Sequence, residues 1–234
     1  MLCGMSIKCC VLNLEPLYNE ELYKACLSRL PDYGYWRVRK DKMSKFRFQE
    51  DKIRSLGAGL LLLHVLQKNG IECGTIECNA YGKPFVCNSD FQFNLSHSGN
   101  YAVCSYGNGE SGIDVECYQS ADLEIAERFF EQHEAQLVKE YGEKMFVRLW
   151  SLKESYIKAE GKGLGIRLDS FRICPSMIRK IDYSNEKFIS TIANESYVNS
   201  DARFHFAEFI IDDFHISVCS KNMVEEKMEV LEIL

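Results

Sequence analysis

Gly112-Ile113-Asp114-Val115-Glu116 constrains this chain more than any other stretch. Its residues alternate between small or apolar and acidic, the period of a strand with one buried face. Ile113 and Val115 enter a core, and Asp114 and Glu116 project together from the other face. Two adjacent carboxylates repel unless something positive sits between them. Hard oxygen ligands on a rigid strand suit Mg²⁺ or Mn²⁺. A solvated strand face is the alternative reading.

A second charged stretch is Trp150-Ser151-Leu152-Lys153-Glu154-Ser155-Tyr156-Ile157-Lys158. Leu149, Leu152, Tyr156 and Ile157 mark one face of a helix over about 144–160. Glu154 and Lys158 lie four apart and share another face. They are either a surface ion pair or, for Glu154, a third metal ligand. In the second case Lys153 and Lys158 supply positive charge to phosphate oxygens. Three carboxylates with nearby lysines are what metal-assisted cleavage of a pyrophosphate requires.

Phe93-Asn94-Leu95-Ser96-His97-Ser98-Gly99 reads as a strand, 91–95, running into a small-residue loop, 96–100. Ser96 offers a hydroxyl, and His97 donates to a phosphate when protonated. Lys83 sits in the turn Tyr81-Gly82-Lys83-Pro84. Arg37, Arg39, Lys40, Lys42, Lys45 and Arg47 form a basic run, either a solvated face or the frame of a phosphate pocket.

Helices are expected over 15–30, 49–69, 122–130 and 131–141, with strands at 71–78 and 101–106. Residues 168–219 read as antiparallel strands, and 107–110 is the best internal boundary. With 46% hydrophobic and 26% charged residues the chain is globular. A net charge of −6 argues against coating nucleic acid. No apolar run reaches the ~18 residues of a membrane span. The beginning of the chain lacks the order of a secretory signal, so a cytoplasmic protein is expected. Eleven cysteines without a CxxC pair read mainly as reduced, buried thiols.

Together YGKPFV (81–86), FNLSHSG (93–99), GIDVE (112–116), IAERFF (125–130) and WSLKESYIKAEGKGL (150–164) resemble the 4′-phosphopantetheinyl transferases, in particular the surfactin-synthetase-activating group. The resemblance implies an α+β fold of two similar halves related by a pseudo-twofold axis, residues 1–109 and 110–234, with antiparallel sheets and packed helices. It implies an enzyme that moves the phosphopantetheine arm of coenzyme A to a serine of an acyl or peptidyl carrier protein. Asp114, Glu116 and Glu154 would bind Mg²⁺, with Mn²⁺ as the alternative. Lys153 and Lys158 would steady the pyrophosphate. Lys83, Ser96 and His97 would hold the nucleotide end, joined by Arg39, Lys42, Arg54 and Ser55. Glu154 and Lys158 would be the catalytic pair, in a monomer that needs no nucleic acid or membrane. Ser44 and Arg167 depart from the family pattern, where a basic residue and a proline are common.

Two rivals share some of these residues. A pyrophosphohydrolase would use the carboxylates without a carrier surface. A non-catalytic coenzyme A-binding protein would not need all of Asp114, Glu116, Glu154 and Lys158.

Overall fold

The computed structural model describes residues 6–174, 192–198 and 202–233. In chain order its strands are β1 (Ile7–Asn13), β2 (Ile76–Cys78), β3 (Pro84–Val86), β4 (Phe91–Ser98), β5 (Tyr101–Asn108), β6 (Ser111–Cys117), β7 (Ile173–Cys174), β8 (Ile192–Val198), β9 (Ala202–Ile211), β10 (Phe214–Ser220) and β11 (Val224–Leu231). Its helices are α1 (Glu20–Arg29), α2 (Gly34–Ser44), α3 (Gln49–Lys68), α4 (Leu123–Phe129), α5 (Gln132–Tyr141) and α6 (Glu143–Glu160). This is the expected mixed α+β architecture. None of the helices is long and apolar enough to cross a membrane.

Two sheets carry the site. The first has the order β11-β1-β5-β4, the second β6-β10-β9-β8-β7, and β2 with β3 forms a small hairpin. Pairing repeats between them: β1 pairs with β5 and β5 with β4, as β6 pairs with β10 and β10 with β9. A long helix, α3 or α6, packs on each sheet. β11 joins the first sheet, parallel to β1, with Ile7 opposite Val224 and Leu12 opposite Leu231.

The cores follow from the apolar faces. Leu56, Leu61, Leu62 and Leu66 of α3 bury against Cys10, Phe93 and Cys104 of the first sheet. Ile113 and Val115 enter a core with Val11, Val103, Ile216 and Val218, as their alternation requires. The basic run from Arg37 to Lys42 is helical: it lies on α2, anchored by fully buried Trp36. The indole of Trp36 donates to the Cys73 carbonyl at 2.8 Å.

Two expectations fail. Of the strand expected over 71–78 only β2 forms, with a turn of 3-10 helix at Cys73–Thr75 before it. Ser96, His97 and Ser98 are not a loop but the end of β4, because Ser96 pairs with Val103 and Ser98 with Tyr101. Only Gly99 and Asn100 turn the chain, and Gly99 does so at φ 49°. The strand set expected over 168–219 is β7 to β10 where it is described; 175–191 and 199–201 lie outside the described residues.

Gly112 brings β6 against α6. A Cβ there would stand 2.0 Å from the Ser155 carbonyl oxygen and 2.4 Å from the Ala159 nitrogen, both backbone atoms. We expect Gly112→Ala to destabilise the protein by about 1–3 kcal/mol or more, because overpacking must displace a helix. Urea unfolding of the variant measures it.

Candidate active site

The two sheets meet at their edge strands, β4 and β6, whose bridging pairs rise together along both strands, so they run in the same direction. Side chains bridge the seam. Asn94 Oδ1 accepts from the Ile113 backbone N–H at 3.0 Å. Ser96 Oγ donates to Asp114 Oδ1 at 3.0 Å, and Ser98 Oγ to Glu116 Oε2 at 3.4 Å. Asn94, Ser96 and Ser98 thus form a polar row that mates with the acidic row of β6. The sequence reading singled out Ser96 and His97 but missed Asn94 and Ser98. The two-residue period of N-L-S-H-S would have found them.

α6 lies across this seam. Trp150, Glu154 and Lys158, spaced by four, line one face and open onto a cleft of about 670 Å³. Asp114, Glu116, Ser96 and His97 line it from the strands; Arg39, Lys42 and Ser55 line it from α2 and α3. That volume suits an organic ligand of cofactor size. The cleft therefore joins an acidic floor to a basic wall. Lys158 Nζ lies against the acidic floor, 2.6 Å from Asp114 Oδ1 and 2.9 Å from Ser96 Oγ. The Trp150 indole donates to Glu116 Oε1 at 3.3 Å, a contact the sequence reading did not anticipate.

Arg39 is held in place by Ser55. Its Nε and Nη2 donate to the Ser55 carbonyl at 3.1 and 2.7 Å, and Nη1 donates to the Tyr35 hydroxyl at 2.9 Å. The Ser55 backbone is thus the part that touches Arg39. Arg54 pairs with Asp51 on its own helix at 2.6 Å.

Two of the expected lysines are absent from the cleft lining. Lys153 is fully buried, paired with equally buried Glu134 at 2.6 Å, and donates to the Phe171 carbonyl at 2.8 Å. It does not line the cleft, because successive helix residues point about 100° apart and Glu154 takes the cleft side. Lys83 lies at the margin and binds Glu110 at 2.5 Å and the carbonyls of Ser111 and Ala159, each at 3.3 Å. It fastens the start of β6 to the end of α6.

Electrostatics follow from burial. Burial first, then the charge of Asp114, raises Glu116 to about 7. The same causes raise Glu154. Desolvation at the cleft wall, then the cations Arg39, Arg54 and Lys158, push His97 down to about 4. The side chain is nevertheless exposed to the cleft, and in the absence of an anion these causes favour the neutral ring, which offers one N–H. Burial raises Glu134 and lowers Lys153, so this pair is costly to hide and stabilising only as a pair.

Among the described residues no three His, Cys, Asp or Glu side chains are gathered closely enough to hold a metal ion by themselves. Asp114, Glu116 and Glu154 nevertheless share the cleft. Hard oxygens in an incomplete set are the donor chemistry of Mg²⁺, which takes one or two carboxylates and fills its shell from waters and phosphates.

The sequence pattern of the 4′-phosphopantetheinyl transferase superfamily matches residues 110–219. The pattern of the 4′-phosphopantetheinyl transferase N-terminal region matches 36–107. The chain is 40% identical over 146 residues to 4′-phosphopantetheinyl transferase Sfp of Bacillus subtilis (strain 168), covering 58% of this chain and 64% of that one. It is 41% identical over 113 residues to 4′-phosphopantetheinyl transferase gsp of Aneurinibacillus migulanus, covering 47% of each. With 4′-phosphopantetheinyl transferase psf-1 of Bacillus pumilus it shares 34% over 173 residues, covering 70% of this chain and 73% of the relative. The match thus spans less than two thirds of the length of the first two relatives. The chain belongs to the 4′-phosphopantetheinyl transferase superfamily.

Two measurements check this electrostatic account. Glu116 is raised above its unfolded value near 4.5, so its stabilising contribution is complete below that pH and is lost as pH rises through about 7. Melting of the protein without added divalent cation should therefore show this loss between pH 5 and 8. Separately, Lys153→Met leaves a buried carboxyl without its partner and should cost about 3–5 kcal/mol in urea unfolding. Lys153→Met with Glu134→Leu should recover most of that.

Proposed function

We propose that this chain is a Mg²⁺-dependent 4′-phosphopantetheinyl transferase. It moves the phosphopantetheine arm of coenzyme A to a serine of an acyl or peptidyl carrier protein, leaving adenosine 3′,5′-bisphosphate. One observation carries this reading: a single cleft holds three carboxylates and Lys158 opposite Arg39 and Lys42. A pyrophosphate fits such a place, its charge shared between a cation on the carboxylates and the basic wall.

Asp114, Glu116 and Glu154 would hold Mg²⁺, or Mn²⁺ in its stead. The ion's part is to neutralise the pyrophosphate of the bound coenzyme. Lys158 exchanges Asp114 for a phosphate oxygen as the coenzyme enters. Arg39, Lys42, His97 and, at the margin, Lys83 receive the nucleotide end; Ser55 keeps Arg39 aimed at it. The nucleophile is the carrier's serine, so no serine of this chain need react. Its hydroxyl must lie in line with the scissile phosphate. Glu154, raised by burial, is the group best suited to take its proton.

Phe129 is exposed, whereas Phe130 is buried and stacks on Phe146 at 5.7 Å. Phe129 is the ring available to a carrier. Because one chain supplies both cleft walls, a monomer suffices. The cysteines whose side chains are described are free thiols, which suits a cytoplasmic enzyme. In this reading residues 1–109 would supply the nucleotide contacts and 110–234 the carboxylates and Lys158.

Mass spectrometry of an apo carrier incubated with enzyme, coenzyme A and Mg²⁺ tests the function. The carrier should gain one phosphopantetheinyl group, and chelation of the cation should stop the gain. Hydrolysed coenzyme A beside an unmodified carrier would favour the pyrophosphohydrolase instead. Glu154→Gln should lower turnover by about 10²–10⁴-fold. Full turnover in that variant, with cation binding intact, would remove Glu154 as the base.

A further inference from the structure

Asp114 is flanked on both sides across the strands. Ser96 from β4 and Lys158 from α6 hold its Oδ1. On the β10 side, Ser217 is its register partner. Directly opposed residues of an antiparallel pair put their Cβ atoms about 4.5–5.5 Å apart on one face. Among the described residues, Asp114 Oδ2 and Ser217 Oγ are the fully buried side-chain nitrogen or oxygen atoms without a hydrogen-bond partner. Ser217 is fully buried and Asp114 nearly so. Two orphan polar atoms, one acceptor and one donor, thus belong to residues facing each other. Leaving either unpaired costs about 1–3 kcal/mol.

We propose that Ser217 is a positioning residue for Asp114. Its hydroxyl donates to Asp114 Oδ2, directly after rotation about χ1 or through one buried water. The serine hydroxyl has three staggered settings available, so pairing needs no backbone change. The bond fixes the carboxylate plane and keeps Oδ1 toward the cleft when Lys158 leaves it. Nothing else on β10 does this work. Its neighbours on the same face are engaged elsewhere: His215 with Glu208 at 3.0 Å, and Cys219 with the apolar cluster under α6. Carboxylates that ligate metals are themselves held by such bonds, and losing one lowers metal affinity about 10–100-fold.

The inference rests on Asp114 being a cation ligand, and the experiment separates the two. Mn²⁺ binding is read by electron paramagnetic resonance on the full chain with adenosine 3′,5′-bisphosphate present. Ser217→Ala should weaken Mn²⁺ binding about tenfold or more, and Ser217→Thr, which keeps the hydroxyl, should restore most of it. Urea unfolding accompanies each variant. If Ser217 were only an unsatisfied hydroxyl, Ser217→Ala would bind Mn²⁺ like the parent and be as stable or more so; that result overturns the proposal. Asp114→Asn reports on the underlying reading. If it binds Mn²⁺ like the parent, Asp114 is not a ligand and the inference falls with it. If it loses binding while Ser217→Ala does not, only the role of Ser217 falls.

Discussion

The contact between Gly112 and the backbone of α6 governs the rest of the site. Without a side chain at 112, the helix settles directly on the strand. Asp114 and Glu116 lie two and four residues further along the same face, so that contact sets their depth beneath Glu154 and Lys158. A second hold lies at the end of the helix. Lys83 binds the carbonyls of Ser111 and Ala159, and Asn79 donates to the Gly161 carbonyl at 3.0 Å. Ligand geometry is thereby inherited from backbone packing, which is stiffer than any side chain.

α6 carries two kinds of charge on different faces. Glu154 and Lys158 face the cleft, where Lys158 pairs with Asp114 at 2.6 Å. Arg148 and Lys153 point inward, where each meets a buried carboxylate. Arg148 makes two bonds to Glu208, at 2.7 and 2.8 Å. His215 bonds the same carboxylate, and its other ring nitrogen meets the Tyr118 hydroxyl at 3.2 Å. Burial alone would raise Glu208; the bonds from Arg148 and His215 outweigh it and hold this acid at about 2. These inward pairs lock the helix onto its sheet and onto α5, so the cleft face is free to exchange partners without the helix shifting.

How far could the letters alone lead? Period-two alternation in GIDVE placed Ile113 and Val115 in a core and Asp114 and Glu116 together, and the structure agrees. The apolar pattern of α3 was equally plain, because twelve of its residues are buried. Lys153 was not legible in the same way. Its partner Glu134 is nineteen residues earlier on another helix, and a pattern that marks a lysine beside a glutamate does not say which side each takes. Ser96 to Ser98 looked like a loop, since serine, histidine and glycine favour turns, yet pairing with β5 overrides that preference. The Arg148–Glu208–His215 set was invisible, because its members are joined only by folding.

The placement of β11 beside β1 bears on how the molecule is made. Ile7 finds its parallel neighbour Val224 more than two hundred residues later. During synthesis β1 and β5 can pair early, but one side of β1 keeps its N–H and carbonyl groups bare until the last strand arrives. Parallel pairing over such a separation closes a very large loop and is slow. The first sheet therefore passes through an interval with an open, apolar border. Chaperone demand and loss to aggregation should concentrate there, far from the residues that do the chemistry.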